Sequence, residues 1–452
     1  MPELELLKGT RDYLPQTQII RAGVVDTLKT LFERYGFSPA ETPVLNFMEL
    51  LASKYAGGEE ILKEIYALTD QGRRELGLRY DLTVPFARLV GKYQGGELLL
   101  PFKRYEIGRV FRDGPVKSGR LREFIQCDVD AVGIASPMVE AELLALASDA
   151  FQAIRLDVYC QINHVDVLRT ILTLAGVPPD KAADAVLSID KLKKIGREGV
   201  ITELKEKGLT DHSIEGVFRT FDELAPLDST ARLERLAAVL PPDSPGPAAI
   251  ECLRAVYRYL NALGSVLPVN FEPSLARGLQ IYTGPIFEFF LTDPGEFEGA
   301  VAAGGRYDEI IGRFLFPNEP SRARDYPAAG LSFGLEPITM ILESRSARAG
   351  AEGRPLRRTV TRALILPMGD AAETAALQAA GRLRAAGIPT EVDAMSRRAR
   401  KAFSYADRLG IPFVMVIGED EISTGRYSVK RLADGEQRLL GLDEAIEWIS
   451  KG

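Results

Sequence analysis

Apolar residues recur at helical spacing from Thr17 to Tyr35 and stop at Gly36, which predicts a first helix. The stretch that follows, Phe37-Ser38-Pro39-Ala40-Glu41-Thr42-Pro43-Val44-Leu45, is extended and interrupted by prolines. That suits a strand at a sheet edge or interface, where a missing backbone donor is tolerated. Period-two alternation and short apolar runs then predict strands at Leu78–Tyr80, Pro101–Phe111, Arg122–Val132 and Ile154–Ile162. From Val165 to about Leu263 the pattern changes to amphipathic helices separated by turn signals such as Gly176-Val177-Pro178-Pro179. Strand patterns return at Gly278–Leu291 and around Ala302 and Leu331. The expected architecture is an α+β core, a mainly antiparallel sheet interrupted by a helical insertion at about 165–263.

Ser344–Pro355 is small, polar and carries glycine and proline, the texture of an interdomain linker. Beyond it the pattern alternates: a strand at Ala363–Pro367, a helix at Glu373–Ala386, a strand at Thr390–Asp393, a helix at Lys401–Leu409 and a strand at Phe413–Ile417. Regular alternation of this kind predicts a small α/β domain with a largely parallel sheet. The domain scheme is therefore a core over 1–343, a linker over 344–356 and a C-terminal domain over 357–452.

Composition narrows the chemistry. The 452 residues are 46% hydrophobic, enough for a sizeable core, and carry a net charge of -7. That charge argues against wholesale non-specific nucleic-acid binding but leaves room for local basic patches. Cys127, Cys160 and Cys252 are far apart and show no paired spacing, so neither a zinc ribbon nor a disulfide framework is expected and a reducing cytosol is the default. The first residues lack the features of a signal peptide, and no run of about 18 apolar residues predicts a membrane span. With only His164 and His212, catalysis built on histidine is disfavoured, and no resident metal site is expected.

The candidate chemistry lies in a few clusters. Tyr105–Arg112 and Gly119–Gln126 read as strand, loop, strand, with arginines on both sides of the loop. A guanidinium on such a strand can pair with a phosphate at two points, and Phe124 offers a face to a base; a solvated hairpin with surface arginines would look the same. Arg79-Tyr80-Asp81-Leu82-Thr83 puts an acid and a hydroxyl just after a strand, where they serve either a ligand or the N-terminus of the next helix. Gln126, Asp128 and Asp130 share one strand face, as a polar pocket or a solvated sheet face requires. Arg277 precedes Gly278 and a strand, so it can aim fixed charge into a cleft or form a structural ion pair. In the C-terminal domain, Ser396-Arg397-Arg398-Ala399-Arg400-Lys401 can meet RNA phosphates or form a solvated helix face.

Together these clusters resemble histidyl-tRNA synthetase. The resemblance rests on Lys8-Gly9-Thr10-Arg11-Asp12, on Arg79–Arg88, on Gly119–Asp130 and on Ala276-Arg277-Gly278-Leu279 with Tyr282-Thr283-Gly284. It continues through Gly304-Gly305-Arg306-Tyr307-Asp308 to Tyr405–Pro412 and Ile417–Glu421 in an anticodon-binding-like domain. It implies a class II synthetase core acting as a homodimer, with Pro39–Pro43 in motif 1 at the dimer interface. It also implies ATP, Mg2+, histidine and tRNA(His) as cofactors and partners. By resemblance Asp81, Thr83, Gln126, Asp130 and Tyr282 line the histidine pocket. Arg112 holds the α-phosphate, Phe124 stacks on adenine, Arg120 joins the ATP site, and Arg277 stabilises the transition state.

The chain departs from the family pattern at three places. Pro337 follows Gly334-Leu335-Glu336 where the usual motif 3 has an arginine, Gly114 replaces a motif 2 glutamate, and Gln280-Ile281 replace an acid and a tyrosine. A lost arginine removes charge-assisted hydrogen bonds of about 1.5–3 kcal/mol each. Arg306 or Arg120 are the candidates to supply that charge. Two functions therefore follow from the resemblance. One is a histidine–tRNA ligase. The other is a non-charging paralogue, such as a histidine-sensing regulatory subunit of ATP phosphoribosyltransferase, which generally lacks the domain this chain carries from Arg357 onward. A paralogue that activates histidine for another acceptor is a third reading.

Overall fold

A computed structural model describes residues 4–52, 63–116, 121–277, 281–351 and 358–451. The chain divides into two compact units, one made of Met1–Arg11 and Val24–Ile338, the other of Asp12–Gly23 and Thr339–Gly452.

The first unit is built on an eight-stranded sheet. In spatial order its strands are Ser38–Pro39, Phe102–Phe111, Glu123–Val132, Ala328–Gly334, Ala302–Arg306, Pro285–Leu291, Val158–His164 and Val269–Phe271. The six central strands pair antiparallel, and the two outermost pair parallel with their neighbours. Alternation gives the sheet two unlike faces. One carries Tyr105, Val129, Leu331 and Phe287 in one row and Cys127, Phe333, Ala302 and Phe289 in the next, all buried. This face packs on helix Met138–Ile154, whose Phe151 ring lies 5.4 Å from Phe333 and 5.7 Å from Phe289. Phe32, from the end of the first helix Pro15–Arg34, closes the layer 5.8 Å from Phe333.

The opposite face is polar. The register aligns Glu106, Asp128, Ser332, Ala303, Glu288 and Gln161 in one row across the sheet. The adjacent row runs Arg104, Asp130, Gly330, Gly305, Ile286 and Asn163. Glycines in that row leave a trough. A Cβ at Gly330 would collide with Asp130, and one at Gly305 would fall 2.8 Å from the Tyr282 ring. Such spacing keeps room above the strands that larger residues would fill.

Six helices, from Val165–Leu174 to Gly246–Ala262, fill the segment between Val158–His164 and Val269–Phe271. Two sequence expectations need correction here. Ile154 ends a helix rather than opening a strand, because Arg155 turns the chain at φ 63° and the strand begins only at Val158. The strand expected at Leu78–Tyr80 instead covers Glu75–Leu78, in a small three-stranded sheet with Leu45–Phe47 and Ala67–Thr69 beside the main one. Its strands are too short to show an alternation.

The second unit contains a five-stranded sheet ordered Thr390–Val392, Ala363–Pro367, Phe413–Ile417, Tyr427–Arg431 and Gln437–Leu440. The first three are parallel, as expected, while the last two add antiparallel and make the sheet mixed. Its core packs Ile365, Met415 and Ile417 against Ala376, Ala380 and Leu383 of helix Glu373–Ala385. Helix Leu335–Ala351 runs through the first part of the stretch expected to be a linker. Three alanines and two arginines there favour helix; the rest of that stretch, 352–356, lies outside the described residues. No helix among the described residues is long and apolar enough to cross a membrane.

Candidate active site

The polar face of the main sheet lines a cavity of about 890 Å3. Asp81, Thr83, Arg112, Gln126, Asp130, Arg277 and Tyr282, all expected from sequence, lie on its wall. They come from separate segments, so only the folded sheet brings them together. Asp81 accepts from the Val84 N–H at 3.1 Å and thereby caps helix Thr83–Tyr93, so the capping reading and the pocket reading describe one residue. Arg112 donates through Nε to the Tyr80 carbonyl at 3.0 Å, with its guanidinium 5.0 Å from the centre of the Phe124 ring. Gln126 Nε2 donates to Ser332 Oγ at 3.3 Å, while its Oε1 is buried with no hydrogen-bond partner among the described residues. Arg277 Nη1 pairs with Glu288 Oε1 at 2.5 Å, and its guanidinium lies 5.7 Å from the centre of the Tyr282 ring.

Asp130 is held from two sides. The Tyr307 hydroxyl donates to its Oδ1, and Arg104 Nη2 pairs with its Oδ2 at 2.9 Å. Arg104 is fully buried and reaches on to Glu106 at 2.9 Å, which in turn pairs with Arg79 at 2.6 Å. Sequence reasoning missed this chain of charges. The signal was present, since Arg104 and Glu106 stand two apart in a strand and share a face. It also missed Glu288 and the insertion's contribution of Asp190, Lys193 and Lys194 to the cavity wall. Lys193 Nζ donates to Gln161 Oε1 at 2.5 Å and sits 3.6 Å from the centre of the Phe290 ring.

Arg120 lies outside the described residues, as do Gly278, Leu279 and Gln280. Arg306 does not supply the charge missing at Pro337. It is buried and spent on Glu140 at 2.5 Å, Asp308 at 3.1 Å and the carbonyls of Ile134 and Ser136. Pro337 occupies the first turn of its helix, where a proline fits, with its ring beside Gly334. His164 is a helix cap: its Nδ1 accepts from the Asp166 N–H at 3.1 Å, and burial pushes its pKa down to about 4. Of the basic run in the second unit, Arg397 is tied to Asp393 and stacks 4.1 Å from the centre of the Tyr405 ring. Arg398, Arg400 and Lys401 stay exposed at the start of helix Ala399–Leu409.

Burial sets the protonation of the pocket acids. It lifts Asp81 to about 6, against the opposing pull of the Val84 N–H and Arg112. It pushes Asp128 up to about 8, helped by the charge of Asp130 and opposed by Arg104. Burial also raises Asp130, with Arg104 and Tyr307 working the other way. An aspartate in an unfolded chain titrates near about 3.9. Between there and about 8 the folded protein keeps the Asp128 proton that the unfolded chain has lost, so stability falls as pH rises through that window. Asp128→Asn has no such proton, and urea unfolding at about pH 5 and about pH 8 is expected to show the variant gaining on the parent as pH rises.

The family model for histidyl-tRNA synthetase matches residues 9–338, and the one for the anticodon binding domain matches residues 362–452. Histidine–tRNA ligase 1 of Bacillus cereus is 41% identical over 438 residues, covering 97% of both chains. The ligase of Gloeobacter violaceus is 37% identical over 482 residues, covering 100% of this chain and 99% of its own. Among solved structures, histidyl-tRNA synthetase from Nostoc sp. superposes with a TM-score of 0.84 at 27% identity, covering 100% of both chains. A Bacillus halodurans structure described as an ATP phosphoribosyltransferase regulatory subunit/histidyl-tRNA synthetase shares the fold, with a TM-score of 0.72 at 20% identity over 92% of this chain and 98% of its own. The match spans the catalytic core and the C-terminal domain alike, and the chain belongs to the histidyl-tRNA synthetase family.

Proposed function

We propose that this chain is a working histidine–tRNA ligase that activates histidine with ATP and esterifies tRNA(His). What carries the reading is one cavity that gathers two arginines with Asp81, Thr83, Gln126 and Tyr282. A histidine carboxylate oxygen attacks the α-phosphorus of ATP, the new P–O bond forms, and the bond to pyrophosphate breaks. The charge that builds on the phosphoryl oxygens falls between Arg112 and Arg277. In-line transfer of this kind needs positioning and charge stabilisation more than covalent help. Arg277 has five N–H donors, so its pair with Glu288 aims it while leaving donors for phosphate. Phe124 faces the adenine. Magnesium arriving with the nucleotide would neutralise charge on the leaving pyrophosphate, as it does in sites where substrate phosphates supply much of its binding. The terminal ribose hydroxyl of the tRNA then attacks the adenylate carbonyl and AMP leaves.

Asp81 is suited to the α-ammonium, since it lies beside Tyr80, whose carbonyl holds Arg112. The C-terminal domain from 357 meets the tRNA, with Arg398, Arg400 and Lys401 as exposed phosphate contacts. The enzyme acts as a homodimer through the Pro39–Pro43 region, in the cytoplasm. The non-charging alternative is disfavoured because the curated relatives matching this chain end to end are ligases. Two assays test the proposal: histidine-dependent ATP–pyrophosphate exchange with the other amino acids as controls, then charging of tRNA(His). Exchange with histidine alone, followed by charging, is expected. Histidine binding without exchange would sink it.

A further inference from the structure

Asn163 stands one residue before the end of strand Val158–His164 and is fully buried. Its Nδ2 donates to two backbone carbonyls far along the chain, Pro273 at 3.0 Å and Leu275 at 2.9 Å. Both partners can only accept, so the amide nitrogen and both of its hydrogens are committed there. Its Oδ1 is buried with no hydrogen-bond partner among the described residues. A buried acceptor in that state costs free energy, so an asparagine is a poor choice for packing alone. What this residue type supplies is the pair of donors.

The two carbonyls lead directly into Ala276 and Arg277. Ala276 is buried in the apolar core of the helical insertion, with Leu168, Leu172 and Ile189. Arg277 then reaches the cavity wall, where Glu288 holds its guanidinium. Glu288 lies opposite Gln161, and Asn163 opposite Ile286, so the two supports occupy neighbouring rows of one strand pair, about 7 Å apart. The far end of the same segment is tied to this junction as well. Val165 N–H donates to the Gly284 carbonyl at 3.1 Å, two residues after Tyr282. We infer that Asn163 is a positioning residue for the adenylation step: its amide fixes the backbone from which Arg277 is aimed. Glu288 fixes the head of that side chain and Asn163 its root. A misplacement of about 1 Å at such a group can cost about 100-fold in rate.

This inference rests on the proposed adenylation, and its test separates the two. Asn163→Ala, Arg277→Ala and the double variant are compared with the parent by ATP–pyrophosphate exchange. Asn163→Ala is expected to lower kcat about 10–100-fold, with KM for histidine and for ATP within about threefold of the parent's. Added to Arg277→Ala it should lower kcat by no more than about twofold further, because the group it positions is already gone. A purely structural residue would instead multiply the two losses, since fewer folded molecules scale any remaining rate. An unchanged kcat in Asn163→Ala, or multiplied losses in the double variant, overturns the assignment. If Asn163→Ala does not fold, Asn163→Ser, which keeps a hydroxyl for one of the two carbonyls, takes its place. Failure of both to fold likewise overturns it. Absence of exchange in the parent strikes the functional proposal, and amide hydrogen exchange then decides the role of Asn163. The Ser274 N–H donates to Glu272 Oε1 at 3.1 Å and the Leu275 N–H to the Glu272 carbonyl at 2.9 Å. Both should exchange at least about tenfold faster in Asn163→Ala. Unchanged exchange at these two amides means that Asn163 does not anchor the segment.

Discussion

Arg277→Ala is expected to slow histidine-dependent ATP–pyrophosphate exchange by about 10²–10³-fold in kcat, the usual loss for one preorganised donor to developing charge. KM for histidine should move little, because the group acts on charge that appears only as the phosphoryl group transfers. The structure explains why one residue carries so much. Arg277 lies at the cavity wall, paired with Glu288 at 2.5 Å and beside the Tyr282 ring. Glu288 stands in the same sheet row as Ser332 and Asp128, so the strand fixes the carboxylate and the carboxylate fixes the arginine. With Pro337 where the family pattern has an arginine, and Arg306 consumed by Glu140 and Asp308, fewer cations remain to share the load. Arg277→Lys keeps a charge but not the planar fork, and should recover only part of the rate. An alanine variant with kcat near the parent's would remove Arg277 from the chemistry.

Much of this site could be read from the chain because its residues stand in ordered local clusters. Arg79–Arg88, Gly119–Asp130 and Ala276–Gly284 each carry several functional groups at strand or turn spacing, and the fold brings them to one cavity. What was not legible depended on register. That Glu288 meets Arg277 follows from two segments 11 residues apart folding over each other, which no local pattern states. Charged residues inside the sheet were equally hidden. Arg104 and Glu106 read as the polar half of a half-buried strand, whereas both are buried, because the partners that neutralise them come from Arg79 and Asp130. The insertion was recognised as helical, yet nothing in its amphipathic pattern says that Asp190, Lys193 and Lys194 turn toward the cavity. The linker expectation failed at Ser344–Ala351 because composition there is equally that of a good helix. In the second unit, strands Tyr427–Arg431 and Gln437–Leu440 are half exposed and mostly polar on their outer side, so they lack the apolar run that marked Phe413–Ile417.

The buried charges give the largest expected stability effect. Glu106→Ala should destabilise the protein by about 3–5 kcal/mol, the cost of breaking a buried ion pair from one side. Glu106 is 2% exposed and bridges Arg79 on one oxygen and Arg104 on the other, while the Thr42 hydroxyl and backbone N–H donate to it at 2.9 and 3.0 Å. Removing it strands two guanidiniums. Arg79 keeps the carbonyls of Thr42 and Arg109, and Arg104 keeps Asp130 and the Leu82 carbonyl, so hydrogen bonding survives in part while charge balance does not. Glu106→Gln retains the shape and some acceptors and should cost less than alanine, and the difference between the two reports the charge itself. Urea unfolding is expected to show a lower midpoint with the slope unchanged. The damage should also reach the substrate, because Arg104 shares Asp130 with the pocket floor: KM for histidine should rise in Glu106→Ala even though Glu106 is not on the cavity wall. If stability falls and histidine binding does not, the network is a structural girder alone, and the pocket does not depend on it.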